Sequence, residues 1–149
     1  MIQTNAELRL IDILRGAYKL LGAKTGCYSG NCGLCGVIFN GEVVKSCLIP
    51  AFKVQGSEVI TIEGFSLNDE YQDIALGLLE GGTETCGYCH AGKVLTVEAL
   101  LTKKPQPSPK HILSAFRGIK CRCTESESLV QGVLTVAEKR QRRLYGRRS

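Results

Sequence analysis

Apolar and polar positions alternate in two regimes along the chain. In residues 6–21, Leu10, Ile11, Leu14, Ala17, Tyr18 and Leu21 recur at spacings of three and four, and Gly22 follows as a stop signal. That period predicts an amphipathic helix. Residues 37–44, VIFNGEVV, place apolar runs on either side of Asn40-Gly41, the dipeptide that accepts a type I′ turn, and predict a hairpin. Residues 58–64, EVITIEG, form a further strand candidate. Helical patterning then takes over. Residues 68–82 carry acids in the first turn and glycines at the end. Residues 92–104 and 111–118 read as two further helices. Thr124 and Glu127 form a capping box ahead of Leu129, Val130, Val133, Leu134 and Ala137. Prolines at 105, 107 and 109 mark a stiff linker. The change of period near Gly64–Asn68 predicts two domains, 1–66 and 67–149. The fold class is α+β, with a small sheet first and an all-helical part second.

Composition adds two constraints. The 149 residues are 44% hydrophobic and 22% charged, a globular balance. Two domains of this size have little core each, so cross-links, metals or a partner are expected to help. The net charge of +5 is uneven: Lys139, Arg140, Arg142, Arg143, Arg147 and Arg148 lie in the last eleven residues with no acid among them. This reads as a basic tail that docks on an acidic protein surface. Nucleic acid is not expected, because no aromatic-rich basic platform accompanies it. Charges at Glu7, Arg9, Asp12 and Arg15 interrupt any signal-peptide core, and no apolar run reaches membrane-spanning length. A cytoplasmic location follows as the expectation, and in that reducing compartment clustered cysteines bind metal more often than each other.

There are eight cysteines, in two sets of four. Cys27, Cys32 and Cys35 are spaced C-x4-C-x2-C inside GCYSGNCGLCG, and Cys47 lies just past the hairpin. This is the plant-type spacing for a [2Fe–2S] cluster. Ligated clusters are compact anions whose sulfurs need donors, and consecutive backbone N–H groups in a glycine-rich loop supply them. A zinc site, which favours two C-x2-C pairs, fits this spacing poorly. Cys86, Cys89, Cys121 and Cys123 make C-x2-C and then C-x-C. Taken alone, that set suits zinc as well as iron–sulfur, and buried structural cysteines are a third reading. All four fall at predicted helix ends, where helix N-termini favour an anionic group. His90 and His111 read as structural or surface residues. Arg122, between two ligands, is expected to tune cluster charge or pair with an acid.

Together and in this order, the two patterns resemble the small iron–sulfur subunit of the molybdenum hydroxylases, the xanthine dehydrogenase and aldehyde oxidoreductase family. The stretch from LIDILRG to VITIEG is similar to that family's ferredoxin half, and CGYCHAG and GIKCRCTES are similar to its second cluster motifs. The resemblance implies a β-grasp ferredoxin domain followed by a four-helix domain, each holding one [2Fe–2S] cluster on the two cysteine sets. The family's first hairpin is missing or short here, since only MIQTN precedes the helix. The resemblance also implies a role: passing electrons from a molybdenum–pterin subunit through both clusters to FAD in another subunit, with no substrate-transforming residue in this chain. A free-standing two-cluster ferredoxin and a zinc-stabilised interaction module are the rival readings. Four positions, in three motifs, depart from the family pattern. Thr85 stands where it has Gln facing the pterin, Ala91 where it has Pro, and Lys120 and Glu125 flank the last motif.

Overall fold

The computed structural model describes residues 7–120 and 123–145. Its only sheet among the described residues has three antiparallel strands in the order β2-β1-β3: β1 is Gly36–Phe39, β2 Glu42–Lys45 and β3 Val59–Ile60. Asn40 and Gly41 both have positive φ, 50° and 87°, as the two central residues of a type I′ turn must. The predicted hairpin is therefore present. Side chains of β1 alternate across the sheet. Val37 and Phe39 pack with Val44 and Val59 under helix α1 (Leu10–Gly16), while Ile38, with Val43 and Ile60, enters the core of the helical half.

Two predicted elements are shorter than their patterns. The helix expected over 6–21 spans only seven described residues, 10–16. Beyond it, Lys19 adopts φ 56°, and the Leu20 amide turns back to the Leu14 carbonyl at 2.8 Å. The Arg15 guanidinium donates to the carbonyls of Leu21 and Ala23, both at 2.9 Å, so this irregular segment is stapled to the helix it leaves. Leu20 still packs on the α1 core, which is why the apolar pattern outlasts the helix, whereas Tyr18 and Leu21 are exposed. The strand expected over 58–64 stops after two residues. At Thr61 the chain turns into α2 (Ile62–Phe65), which buries Phe65 among the helices and brings Glu63 to accept the Gly22 amide at 2.6 Å.

The helical half comprises α3 (Asp69–Glu80), α4 (His90–Lys103), α5 (Pro109–Ala115) and α6 (Ser126–Tyr145). Ile74, Leu78, Val94, Leu95, Ile112, Val133 and Val136 form its core. Helices α3 and α6 approach closely because small residues line the contact. A Cβ on Gly77 of α3 would sit 2.6 Å from Val136 of α6, and a Cβ on Gly132 of α6 would sit 1.9 Å from Thr83 Oγ1 in the turn after α3. The expected linker is cut short, because Pro109 opens α5, where its missing N–H costs nothing, and Ser108 caps the helix by accepting the His111 amide at 3.3 Å. The expected Thr124–Glu127 capping box does not form. Helix α6 starts at Ser126, and the Thr124 hydroxyl donates to the Glu84 carbonyl.

The basic tail is also a different object from the one expected. Helix α6 runs to Tyr145, and four of the six cations pair with carboxylates of this same chain. Lys139 meets Glu80 at 2.9 Å, Arg140 meets Glu98 at 2.6 Å, Arg142 meets Glu138 at 2.5 Å, and Arg143 meets Asp73 at 2.5 Å and Glu70 at 3.5 Å. A one-dimensional run of charge hid the acids that folding brings opposite it. Arg147 and Arg148 lie outside the described residues.

Candidate metal centres

Cys27, Cys32 and Cys35 of the first set lie in the loop between α1 and the sheet, and Cys47 lies in the turn that follows β2. Tyr28, Gly30 and Gly33 all have positive φ, and the resulting curl turns successive amides inward. The N–H groups of Ser29, Asn31 and Cys32 point at Cys27 Sγ at 3.4, 3.1 and 3.2 Å, and the Leu34 N–H points at Cys32 Sγ at 3.5 Å. This is the donor-lined concavity that an anionic sulfur group requires. Arg9 stacks on the Tyr28 ring at 4.1 Å and donates to its carbonyl, while the Tyr28 hydroxyl donates to Asp12, so α1 holds the loop's outer rim. Lys45 Nζ donates to the Gly30 carbonyl at 2.5 Å from the other side. Cys35 and Cys47 are buried beside Ile11, and the Ser46 hydroxyl fixes the Cys35 carbonyl at 2.7 Å.

The surroundings divide the thiols of this set electrostatically. Hydrogen bonds from Ser29, then from the Cys32 and Asn31 amides, favour the Cys27 thiolate and pull its pKa down to about 5. Burial, reinforced by the neighbouring Cys35 thiol, pushes Cys47 up to about 11. One thiol is thus a ready thiolate near neutrality, and the other would have to lose its proton before it could bind a metal.

The three described cysteines of the second set are gathered where two helices begin. Cys89 precedes the first residue of α4, and Cys123 lies just ahead of α6. The sulfurs of Cys86, Cys89 and Cys123 all lie within 4.8 Å of one another, with Cys89 at 3.4 Å from Cys86 and 3.2 Å from Cys123. Cys121 and Arg122 lie outside the described residues, so the expectations for them rest on the sequence. Thr85 does not stand alone: its hydroxyl is 2.8 Å from His90 Nδ1, and His90 Nε2 is 3.0 Å from the Tyr71 hydroxyl. Burial lowers the His90 pKa. His111 caps α5 at the surface, its Nδ1 accepting the Ser108 amide at 3.3 Å.

Sequence reasoning passed over one residue here. Lys93 lies four positions after Cys89 on α4, hence on the same helix face. It is only 3% exposed, and its ammonium lies 3.4 Å from Cys123 Sγ and 3.2 Å from Thr124 Oγ1. The i, i+4 relation to a cysteine was the available signal.

The two sets are close neighbours. The Lys120 amide donates to the Cys32 carbonyl at 2.8 Å, and a Cβ on Gly33 would meet the Gly118 carbonyl at 2.3 Å. Donors converging on thiol sulfur fit an anionic iron–sulfur group, but three clustered thiols would also hold zinc.

Comparison with known proteins decides between them. Residues 61–134 match the family described as a [2Fe-2S] binding domain. The nicotinate dehydrogenase small FeS subunit of Eubacterium barkeri is 42% identical over 123 residues, covering 83% of this chain and 78% of that one. This chain belongs to the small iron–sulfur subunits of the molybdenum hydroxylases. The crystal structure of quinoline 2-oxidoreductase from Pseudomonas putida 86 superposes with a TM-score of 0.81 at 31% identity, over 93% of this chain and 87% of the matched chain. Aldehyde oxidoreductase from Desulfovibrio gigas matches with a TM-score of 0.81 at 32% identity over 99% of this chain, which spans only 16% of that much longer protein. As a member of this family, the chain is an electron-transfer component of an oxidoreductase complex and binds [2Fe–2S] iron–sulfur. The zinc-module and free-standing ferredoxin readings lose their support, because the relatives are subunits or segments of larger oxidoreductases. No helix among the described residues is long and apolar enough to cross a membrane.

Proposed function

We propose that Cys27, Cys32, Cys35 and Cys47 hold one [2Fe–2S] cluster and that Cys86, Cys89, Cys121 and Cys123 hold the other. In this reading residues 1–66 form a β-grasp ferredoxin domain and residues 67–149 a four-helix domain. The chain works in the cytoplasm between a molybdenum–pterin subunit and an FAD subunit. The observation that supports it best is the fan of three amides on Cys27 Sγ in one half and the three converging thiols at the helix starts in the other. When bound, such clusters each carry one electron at a time, which suits a relay between two-electron centres. The protein's part is to hold the thiolates, to offer N–H donors to the sulfurs, and to keep the two sites in contact through Cys32 and Lys120.

In this arrangement the pterin subunit docks beside Thr85. Gln would offer a donor and an acceptor at the end of a long side chain, whereas Thr offers one hydroxyl near the backbone. That hydroxyl is already engaged by His90. The test is to reduce the intact complex with its substrate and follow the cluster spectra. Substrate-driven reduction of both clusters is expected in the wild type. Thr85→Gln should leave iron content unchanged and alter the rate of substrate-driven reduction. Loss of a cluster in that variant would instead make residue 85 a structural part of the site.

A further inference from the structure

Lys93 is a buried cation with no carboxylate partner among the described residues. The six ion pairs there involve other cations, and the polar atoms that Lys93 Nζ does reach are Cys123 Sγ and Thr124 Oγ1. Burying an ammonium is costly unless something of opposite sign compensates it. The thiol groups of the second set, anionic once they ligate metal, are the available compensation. We propose that Lys93 sets the reduction potential of the cluster in the helical half, its ammonium stabilising the one-electron-reduced state. This rests on the reading that Cys123 is a ligand of that cluster.

The physical argument is one of charge balance. Reduction adds one electron, and so one unit of negative charge, to a group already anionic through its thiolates. A fixed positive charge at hydrogen-bond distance from a ligand sulfur favours the more negative state, and an N–H donor to that sulfur acts in the same direction. Lys93 is 3% exposed, so water screens its side of the contact little, while Cys123 itself is exposed. The step is a one-electron transfer to the cluster, and no group is transferred with it. The first set offers a contrast. Its described donors to sulfur are neutral, backbone amides and the Ser29 side chain, and Lys45 is turned to the Gly30 carbonyl. The two clusters of one small chain are thereby given different potentials, with the Lys93 site the better electron acceptor of the pair on this account.

The experiment is a mediator-poised redox titration of the purified complex with dithionite as reductant. Each cluster is followed by electron paramagnetic resonance, and the helical-half signal is assigned as the one missing in Cys86→Ser. Lys93→Met keeps most of the stem and removes the charge. It should lower the equilibrium constant for reducing that cluster at least tenfold, which is about 59 mV for one electron, and leave the other signal unmoved. Lys93→Arg should keep the wild-type value within a small fraction of that shift. Equal potentials in wild type and Lys93→Met, with full iron content in both, would overturn the proposal. If Lys93→Met fails to assemble, Lys93→Gln and Lys93→Arg decide: equal potentials in those two would overturn it, and a lower one in Lys93→Gln would support it. A wild-type complex with only one cluster would instead defeat the ligand assignment on which the proposal stands.

Discussion

The amide of Lys120 donates to the carbonyl of Cys32 at 2.8 Å. One backbone hydrogen bond thus joins a residue of the first cysteine set to the neighbour of Cys121 in the second. Gly33, next to Cys32, admits this approach twice over: its φ is +71°, and its missing Cβ leaves room for the Gly118 carbonyl. Gly33→Ala should therefore strain the contact from both causes and destabilise the protein by ~1–3 kcal/mol. The check is thermal unfolding, together with the magnetic coupling between the two reduced clusters. Coupling should weaken in Gly33→Ala, and unchanged coupling with unchanged stability would show that the loops do not depend on this approach.

Removal of iron should expose a pH order among the thiols. Cys27, held near a pKa of about 5, stays a thiolate as the pH rises above that value, whereas Cys47, near 11, stays protonated until strongly alkaline pH. In the folded apoprotein, iodoacetamide should label Cys27 first and Cys47 last at neutral pH. The Cys27 rate should be nearly flat between about pH 6 and 8, because the thiolate fraction is already saturated there. Mass-spectrometric mapping of short labelling pulses reads this directly. A Cys27 rate that rises tenfold per pH unit across that range would show an ordinary thiol.

How much of this was legible before folding depended on whether the signal was local. The Asn40-Gly41 turn, the cysteine spacings and helices α3 to α6 could all be read, because each is written in a few adjacent residues. Leu20 misled, because its burial under α1 comes from a turn rather than from a longer helix. Thr124 misled because a carbonyl forty residues away outbids the helix start for its hydroxyl. The cations of α6 misled because Glu70, Asp73, Glu80 and Glu98 meet them only in three dimensions. Lys93 passed unnoticed because a lone lysine in a helical pattern is normally solvated, and only packing shows this one to be buried.

The packing of α6 against the turn after α3 should be intolerant of volume. Gly132→Ala places a Cβ 1.9 Å from Thr83 Oγ1 and would push the helix start away from the Thr83–Ser128 hydrogen bond. A loss of ~2 kcal/mol is expected, in the usual range for overpacking. Gly16→Ala, where a Cβ meets nothing within 4 Å, is the control and should change stability little. Denaturant unfolding of the pair checks the contrast.

The ion pairs of α6 should be unequal. Arg140 and Glu98 are largely buried and 2.6 Å apart, so Arg140→Met leaves a carboxylate without its partner and should cost about 3 kcal/mol. Arg142 and Glu138 are exposed, so Arg142→Met should cost less than about 1 kcal/mol. Raising the salt concentration should narrow the effect of the second and leave the first nearly intact. Equal losses in both variants would mean that the buried pair contributes nothing special.

The central claim is that eight cysteines hold two iron–sulfur clusters, and the most direct test is the iron and acid-labile sulfide content of the purified protein. Two complete ligand sets predict about four irons and about four sulfides per chain. Stoichiometric zinc with no acid-labile sulfide would contradict the account.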